Sequence, residues 1–586
     1  MRVKFNRFSL WSFILGLLII LWGLWLASPR VSLSEAGFRN RTEAVVLPWS
    51  FDGPRRNVYL VMEFEARSFS PRKWQVVPDD QVIRVKLNGK PLSLDHIPAK
   101  ALKDYTNGFT LDLSQQITSG TQRLEIWFQN QGGPGGIDVR PVWDFWHYLV
   151  IYLGTLCVLL SLAACCGLTR SQKWILSAAL ITIFSYWSVT PWLIRAHDVS
   201  WGGGHYDYIE YVATKNALPK PTDGWVFYHP PVYYLASALV WKFAQLSHLP
   251  VYESLQLFSI LLWLVFLVSA LATVNLFTRR RPWAGRLASV AIAFWPAGIL
   301  HSPAIGNDAP LYAVAGLATW MLCRWWLGGK RRDLLWAALF CGLSLLIKSN
   351  GIVLVAAAGL LLLLRFLLKA GRLRWRAFAD GCYFGVIAAV CLAASMAVRV
   401  YYYLKGESSN WLISNLGNLH SALRVPADIK SFLPLDVPTF LTQPYMSPFL
   451  NETGRENFWN FLLRSAITGE FKFSHGVLNA FAYVMGVFLL LLFFTLAVRL
   501  CSDWKIKWTH IYRHLPLIVV SVLWLASLVA LRIKVPYSCS NDFRYVLPIL
   551  IPLVIYWVRQ GAWPRWLLVC FSASSAIFYT ATGLVG

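Results

Sequence analysis

The chain has 586 residues, of which 56% are hydrophobic and 14% are charged, and this balance excludes an ordinary soluble enzyme. Its formal net charge of +25 does not indicate nucleic acid as a partner, because the lysines and arginines are concentrated in short loops between long apolar runs. That pattern is typical of the cytoplasmic loops of membrane proteins, where basic residues attract anionic lipid headgroups.

Residues 8–27 form the first apolar run, directly after a basic N-terminal stretch. A secretory signal peptide is the competing interpretation, but the run is long and shows no clear small-residue cleavage site. We therefore expect residues 1–29 to be an uncleaved membrane anchor whose N-terminus is cytoplasmic.

Residues 30–142 are predicted to form a β-sandwich outside the membrane, on the periplasmic side. Apolar and polar residues alternate over 57–66 and 81–87, as they do in half-buried strands. Asn88-Gly89 predicts a tight hairpin turn after the second of these strands. The pattern resembles the jelly-roll domains of carbohydrate-binding modules, and a structural or partner-docking role stays equally open.

The rest of the chain is dominated by apolar runs long enough to cross a hydrocarbon core. With the first run they make about thirteen predicted spans, and this number places the basic loops on the face of the N-terminus. The twelve later spans are predicted at 146–166, 174–193, 255–277, 285–300, 309–327, 333–347, 351–369, 380–402, 477–498, 515–532, 546–559 and 565–584.

We therefore predict a polytopic α-helical membrane protein with a transmembrane module at 143–402, a periplasmic loop at 403–476 and C-terminal transmembrane helices at 477–586. The module contains a large outer loop at 194–254. Within it, residues 231–246 are apolar, but a full span there would invert the following basic loop. We interpret them as a short helix at the outer interface, with a true span as the alternative.

The outer loop contains a cluster of acids and histidines between apolar segments. Titratable groups are costly near a bilayer, so such a cluster is a candidate functional site. Its carboxylates could abstract a proton, hold a metal or bind a sugar. The candidates in this loop are Asp198, His205, Tyr206, Asp207 and His229.

The remaining candidates lie in other predicted outer turns and in the 403–476 loop: Asn307, Asp308, Lys348, Arg455, Arg544 and Tyr545. Lysine and arginine bind phosphate, and a carboxylate can serve as base for an acceptor hydroxyl. Acids and cations on one membrane surface therefore suit a polyprenyl-phosphate sugar. Simpler roles remain open, since Asn307 and Asp308 can cap a helix and Lys348 can reach to water from a helix end.

The order of these motifs resembles the GT-C superfamily of integral membrane glycosyltransferases, in the branch of protein O-mannosyltransferases and the lipid A aminoarabinose transferase. The resemblance covers about residues 146–560. It is carried by the acidic outer loop, His-Pro-Pro-Val-Tyr-Tyr at 229–234, Asn307-Asp308, Lys348-Ser-Asn-Gly and Phe543-Arg-Tyr-Val-Leu-Pro.

The resemblance implies inverting transfer of a sugar, with an aspartate of the first outer loop as general base. Asp198 matches that position best. Ser-Trp-Gly-Gly-Gly follows it where the family has an aromatic or His-Tyr pair within a few residues, so Asp207 is a rival base. Asp308 matches a second acidic position that orients donor or acceptor, and Lys348 and Arg544 match positions near the donor phosphate.

These features lead to a hexosyl- or pentosyltransferase in the bacterial inner membrane with a periplasmic active site. Its expected partners are a polyprenyl-phosphate sugar, a glycan, lipid or protein acceptor, and membrane lipids. No cofactor is expected to be required, although His197, Asp198, His205 and Asp207 could bind a divalent metal. The alternatives are a carrier or flippase for a lipid-linked sugar, and a scaffold whose sandwich is the working part.

Overall fold

The structure is a computed structural model that describes residues 7–38, 41–45, 47, 49–104, 108–132, 134–189, 203–408, 410, 421–473, 475–502 and 508–585. The predicted base Asp198 lies outside the described residues. The chain divides into two compact units. One comprises residues 14–155 and 243–254, and the other comprises residues 1–13, 156–242 and 255–586.

The first unit contains two antiparallel sheets within its described residues. The strands are β1 (Arg30–Phe38), β2 (Arg41–Ala44), β3 (Trp49–Asp52), β4 (Arg55–Ala66), β5 (Lys73–Pro78), β6 (Gln81–Leu87), β7 (Lys90–Leu92), β8 (Phe109–Asp112), β9 (Gly120–Asn130) and β10 (Pro134–Val142). The larger sheet has the strand order β2-β1-β4-β9-β6-β7, and the smaller has the order β3-β10-β5-β8.

Alternation along the strands gives the two sheets a common apolar core. In β4, Leu60, Met62 and Phe64 are buried in the core, whereas Glu63 and Glu65, on either side of Phe64, are more exposed. Phe64 meets Trp74 of the other sheet with ring centroids 4.6 Å apart. The strands predicted over 57–66 and 81–87 are confirmed, and so is the hairpin at Asn88-Gly89, because β6 pairs with β7.

The helices are α1 (Arg7–Ala27), α2 (Phe145–Cys165), α3 (Arg170–Val189), α4 (His205–Lys215), α5 (Val232–Leu246), α6 (Val251–Thr278), α7 (Pro282–Ala293), α8 (Pro296–His301), α9 (Asp308–Gly328), α10 (Arg331–Ile347), α11 (Ile352–Leu368), α12 (Gly371–Leu404), α13 (Ile429–Phe432), α14 (Val437–Thr442), α15 (Phe458–Thr468), α16 (Gly476–Ser502), α17 (Trp508–Lys534), α18 (Leu550–Arg559) and α19 (Ala562–Val585).

In the part of the chain that the structure describes, eight helical segments are long and apolar enough to cross a membrane. Together with the composition, they make the chain a multi-pass membrane protein. Each predicted span overlaps helical structure, but the count of thirteen and the orientation stay predictions.

Two local differences from the predicted spans concern proline. Residues 285–300 were expected to form one helix, but α7 ends at Ala293 and α8 starts at Pro296. Proline has no N–H to donate and its ring clashes with the preceding turn, so it starts a new helix instead of continuing one. Phe543–Ile549, which contains Pro548, is a 3₁₀-helix that leads into α18.

The apolar segment predicted to lie at the outer interface is the helix α5, which starts directly after Pro230-Pro231. Its 15 residues extend about 22 Å at 1.5 Å per residue, which is less than the roughly 30 Å of a hydrocarbon core. That length favours the short helix over a full span, and its depth in the membrane stays a prediction.

Candidate functional site

Asp308 and Lys348 are brought together by a helix pair. Asp308 is the first residue of α9, and Lys348 directly follows the last residue of α10. Gly329, with its φ of 68°, makes the tight turn that sends α10 back along α9. The start of one helix and the end of the other therefore lie at the same end of the pair, and Lys348 Nζ forms an ion pair with Asp308 Oδ1.

Arg544 and Tyr545 complete this cluster from the 3₁₀ segment before α18. The centre of the Tyr545 ring lies 5.0 Å from Lys348 Nζ and 5.1 Å from Arg544 Cζ. The Tyr312 hydroxyl on α9 donates a hydrogen bond of 2.8 Å to the Arg544 carbonyl oxygen, which fixes the segment against that helix. The predicted grouping of Asp308, Lys348, Arg544 and Tyr545 is therefore present in the structure.

The exposure of the carboxylates separates their roles. Asp308 keeps 19% of its side chain exposed, whereas Lys348 keeps 6%. Asp542 is 1% exposed, lies 3.5 Å from Arg544 Nε, and accepts a hydrogen bond from the Arg544 backbone N–H. Asp308 is the more accessible of the two carboxylates, and Asp542 lies against Arg544.

The charge of Asp308 is set by its neighbours. Burial alone would raise the pKa of Asp308, but Lys348 and Arg544 outweigh burial and hold that pKa below its usual range. The carboxylate is therefore ionised at neutral pH. Lys348 is buried against it, so the lysine does not reach to water as the simpler interpretation required.

Asn307 stands directly before Asp308, at the N-cap position of α9. Its side chain makes no cap hydrogen bond, and it is fully buried. Neither amide atom has a hydrogen-bond partner among the described residues. The capping role is thus absent, and its role as a substrate ligand stays a prediction.

The imidazole rings of His205 and His229 lie side by side, in the same compact unit as Asp308. Their rings are nearly parallel, with centroids 5.9 Å apart. His205 Nδ1 lies 2.8 Å from the Tyr234 hydroxyl, and a methyl group at Gly306 would lie 3.3 Å from His205 Cδ2. The histidine of α4 therefore lies against the turn that leads to Asp308.

The electrostatic surroundings link His229 to the ion pair. Burial, followed by repulsion from Lys348 and His205, holds the pKa of His229 well below its usual value. His229 is thus neutral at physiological pH and can donate or accept a hydrogen bond at this site.

A glycine crossing positions both histidines. The backbone of Gly203, with its φ of 96°, lies so close to Gly224 that a Cβ on Gly203 would be 2.1 Å from the Gly224 Cα. The Val226 N–H donates to the Gly203 carbonyl oxygen across the same crossing at 3.1 Å. A glycine at position 203 is therefore a packing requirement of the loop.

Asp207, the predicted rival base, stabilises the start of α4. Its Oδ2 accepts hydrogen bonds from the backbone N–H groups of Gly203 at 2.8 Å and Gly204 at 2.9 Å. A carboxylate in the first turn also interacts favourably with the helix dipole. Tyr206, on the same turn, is half-buried. The catalytic role of Asp207 stays a prediction, beside this structural role.

Arg455, a predicted substrate ligand, donates hydrogen bonds within its own loop. Its guanidinium reaches Asn451 Oδ1 at 2.5 Å, the Ala422 carbonyl oxygen at 2.6 Å and the Pro448 carbonyl oxygen at 2.7 Å. Ser538 donates to the same Pro448 oxygen at 2.8 Å, so the loop is attached near the segment of Arg544. These contacts describe a positioning role, and direct substrate contact by Arg455 stays untested.

Arg399 was missed from the sequence. It is 4% exposed, and its Nη1 donates to Ser349 Oγ at 3.3 Å, one residue after Lys348. It also acts electrostatically on His229. The available signal was an arginine inside the apolar run 380–402, since a charge within a span is a functional candidate.

The divalent metal that the sequence left possible has no ligand set in the described ranges. Among those residues, no group of three His, Cys, Asp or Glu side chains could hold a metal ion. His197 and Asp198 lie outside the described residues, so metal binding there stays a prediction.

Comparisons with known proteins add a distant similarity. No protein-family model matches the chain, and no curated protein matches it. Among solved structures, it is similar to the S. cerevisiae protein O-mannosyltransferase Pmt1-Pmt2 complex bound to the sugar donor, at 18% identity and a TM-score of 0.29. That match covers 43% of this chain and 36% of the other, so it spans about a third of the mannosyltransferase chain.

The chain is also similar to ArnT from Cupriavidus metallidurans. The apo structure matches at 15% identity and a TM-score of 0.33, covering 71% of this chain and 77% of that one. The structure bound to undecaprenyl phosphate matches at 16% identity and a TM-score of 0.33, covering 70% and 76%. One of these proteins is a protein O-mannosyltransferase, as in the branch that the sequence motifs resemble. TM-scores near 0.3 assign neither fold nor activity to this chain.

Proposed function

We propose that the chain is a glycosyltransferase that moves a sugar from a polyprenyl-phosphate donor to an acceptor hydroxyl at the Asp308–Lys348–Arg544 cluster. The observation that carries the proposal is the buried ion pair of Asp308 and Lys348 beside Arg544 and Tyr545. A reachable carboxylate and two cations in one buried site match the needs of an acceptor hydroxyl and a donor phosphate.

The basic residues of the cluster favour an anionic substrate. Lys348 and Arg544 both lie about 5 Å from the centre of the Tyr545 ring, and Arg399 donates to Ser349, directly after Lys348. All three basic side chains are buried. A phosphate suits such a site because lysine and arginine donate charge-assisted hydrogen bonds to it.

Phosphate binding also changes the chemistry of Asp308. In the free chain, Lys348 stabilises the ionised carboxylate, and a carboxylate with a low pKa is a weak base. A donor phosphate competes for Lys348 and brings its own negative charge. Both effects raise the pKa of Asp308 towards that of a useful base, so donor binding prepares the carboxylate to take the proton of the acceptor hydroxyl.

The reaction breaks the bond between the anomeric carbon and the phosphate oxygen and forms one to the acceptor oxygen. Lys348 and Arg544 neutralise the charge that develops on the leaving phosphate. Asp308 takes the proton from the hydroxyl group of the acceptor, and Asp198 of the outer loop is the alternative base. The neutral His229 is a hydrogen-bonding group for the sugar.

The location of the cluster fits a lipid carrier. It lies at helix ends in a multi-pass membrane protein, where a polyprenyl chain can follow the apolar helices while the phosphate stays at the interface. The basic loops at the opposite helix ends favour a cytoplasmic location for those ends and a periplasmic location for the site, in a bacterial inner membrane.

The test is transfer by the purified full chain in liposomes. Polyprenyl-phosphate hexoses and pentoses, labelled in the sugar, are incubated with the protein and with bacterial membranes as the acceptor source. We expect one donor to lose its label to an acceptor and to release free polyprenyl phosphate. Lys348→Gln should abolish both, because the donor phosphate loses its buried cation.

Lys330→Gln is the matched control, since this exposed lysine lies between the far ends of the same two helices. It should transfer at the wild-type rate. Full transfer by Lys348→Gln would contradict the proposed site. Movement of the labelled lipid across the bilayer without any covalent product would instead support a flippase.

A further inference from the structure

A second charged region lies at the far end of α9 from Asp308. Trp326, in the last turns of α9, donates from Nε1 to the Tyr512 carbonyl oxygen at 2.7 Å, which attaches the start of α17 there. The 21 residues of α9 extend about 30 Å, so this region is separate from the candidate glycosyltransferase site.

Arginines from three chain segments converge in this region. Arg513 donates to the Leu276 carbonyl oxygen at 3.2 Å, near the end of α6. Arg559, at the end of α18, contacts His514 Nε2 through its Nη1. Its guanidinium lies close enough to Arg513 and Arg281 for their charges to repel.

Arg565 extends the same group from the start of α19. Its Nε donates to the Val558 carbonyl oxygen at 3.3 Å, and its guanidinium lies 4.3 Å from the centre of the Trp283 ring. Trp283 follows Arg281 by two residues. We call Arg281, Arg513, Arg559 and Arg565 the arginine cluster.

Among the described residues, the arginine cluster has no carboxylate as an ion-pair partner. No described residue in 276–286, 508–516 or 556–566 is an aspartate or glutamate, and no described carboxylate forms an ion pair with these four arginines. Other arginines at the same helix ends do have partners: Arg324 pairs with Asp333 at 3.0 Å, and Arg331 pairs with Asp380 at 3.1 Å. Four neighbouring cations without an acid in the described ranges attract an anion.

Exposed tryptophans indicate where that anion comes from. Trp283 is 42% exposed, Trp566 is 66% exposed and Trp563 is 79% exposed. In membrane proteins, exposed tryptophans next to basic residues occupy the headgroup layer. The tryptophans therefore favour a location of the arginines near the lipid phosphates, where basic pockets between helices bind headgroups.

We propose that the arginine cluster is a binding site for the phosphate headgroup of an anionic phospholipid. Arginine suits this ligand because its planar fork can donate two parallel hydrogen bonds to phosphate. The ligand connects α6, α17, α18 and α19 at the end of the helices opposite Asp308, and it stabilises their packing.

The test compares anionic phosphatidylglycerol with zwitterionic phosphatidylcholine, each added to the purified full chain in detergent. Native mass spectrometry measures the retained lipid, and the thermal midpoint reports stabilisation. We expect tighter retention and a higher midpoint with phosphatidylglycerol. Arg513→Gln/Arg559→Gln should weaken binding about 30-fold, because each basic residue near lipid phosphate contributes about a factor of five.

Arg372→Gln/Arg376→Gln is the matched control, since it removes the same charge from exposed positions at the start of α12. It should change phosphatidylglycerol binding less than twofold. Equal loss in the two double variants would show a diffuse charge effect and overturn the site. Equal stabilisation of the wild type by both lipids would also overturn it, and this comparison needs no variant.

Two further arms identify the ligand. Inorganic phosphate at millimolar concentration should not reproduce the midpoint shift, and if it does, the site takes a soluble anion and the lipid assignment is wrong. Arg559→Lys keeps the charge but not the planar fork. It should bind phosphatidylglycerol more weakly than the wild type, and wild-type affinity in this variant would exclude a specific headgroup contact.

Discussion

The ion pair of Asp308 and Lys348 offers the sharpest test of the site, because its roles in stability and in catalysis can be separated. Lys348→Met leaves the Asp308 carboxylate in a buried position without its ion-pair partner. Breaking a buried pair costs about 3–5 kcal/mol. Arg544 remains nearby and Asp308 is 19% exposed, so we expect the lower end, about 3 kcal/mol.

Asp308→Asn breaks the same ion pair from the other side, because it leaves Lys348 buried beside Arg544 without the negative charge of Asp308. The double variant Asp308→Asn/Lys348→Met removes both charges together. Replacing a whole buried pair with neutral groups is often close to neutral for stability. We therefore expect the double variant to be more stable than the two single losses predict, with a coupling energy of about 1–3 kcal/mol.

The measurements are unfolding of the purified protein in detergent, followed by tryptophan fluorescence, and sugar transfer in liposomes. Both single variants and the double variant should lose transfer, although the double variant recovers stability. A control cycle on Arg324 and Asp333, a pair 3.0 Å apart at the other end of the helices, should show coupling without loss of transfer. Sugar transfer by the double variant would show that the ion pair of Asp308 and Lys348 only stabilises the fold, and it would refute its role in catalysis.

Three other outcomes follow from the same geometry. Asp207→Asn should retain sugar transfer, whereas Asp207→Ala should lower the free energy of unfolding by about 1 kcal/mol, because the cap hydrogen bonds at the start of α4 are lost. Loss of transfer in a folded Asp207→Asn variant would instead support Asp207 as the base. Gly203→Ala should lower the thermal midpoint and the transfer rate, because its Cβ would overlap Gly224, while Gly359→Ala, with no atom within 4 Å, should be neutral or slightly stabilising. The pKa of His229 is lower in the folded chain than in the unfolded chain, so neutral His229 stabilises the fold fully above about pH 6.5, and this stabilisation is lost as the pH falls through the folded pKa. His229→Asn should therefore reduce the drop of the thermal midpoint between about pH 7 and pH 5.

Much of the fold could be predicted because its signals are local. The period of two over 57–66 and the Asn88-Gly89 turn define strands and a hairpin within a few residues. Span lengths follow from bilayer thickness in the same way. The break before Pro296 and the 3₁₀ segment at Phe543–Ile549 were not predicted, because hydropathy alone does not register a missing N–H inside an apolar run.

The site was predictable to the extent that residue chemistry decides it. Asp308, Lys348 and Arg544 were identified because charged groups in apolar surroundings are rare, and the structure brings them together. Asp207 and Arg455 were harder, since the same side chains also stabilise loops and helix ends, and only the hydrogen-bond partners reveal that they do so here. Arg399 was hidden by the apolar run that contains it.

The backbone of the cluster explains why such residues coincide with irregular structure. Lys348 precedes a 3₁₀ turn at Ser349–Gly351, and Arg544 lies in the 3₁₀ segment that follows Asp542. A continuous α-helix would direct these side chains along its own surface, whereas here Lys348 and Arg544 meet at the Tyr545 ring, and each pairs with its own carboxylate. The 3₁₀ turns have poorer hydrogen-bond geometry, and the like charges repel one another. If the proposed donor binds at Lys348 and Arg544, its phosphate should stabilise the folded protein, because a ligand that binds only the folded state shifts the folding equilibrium.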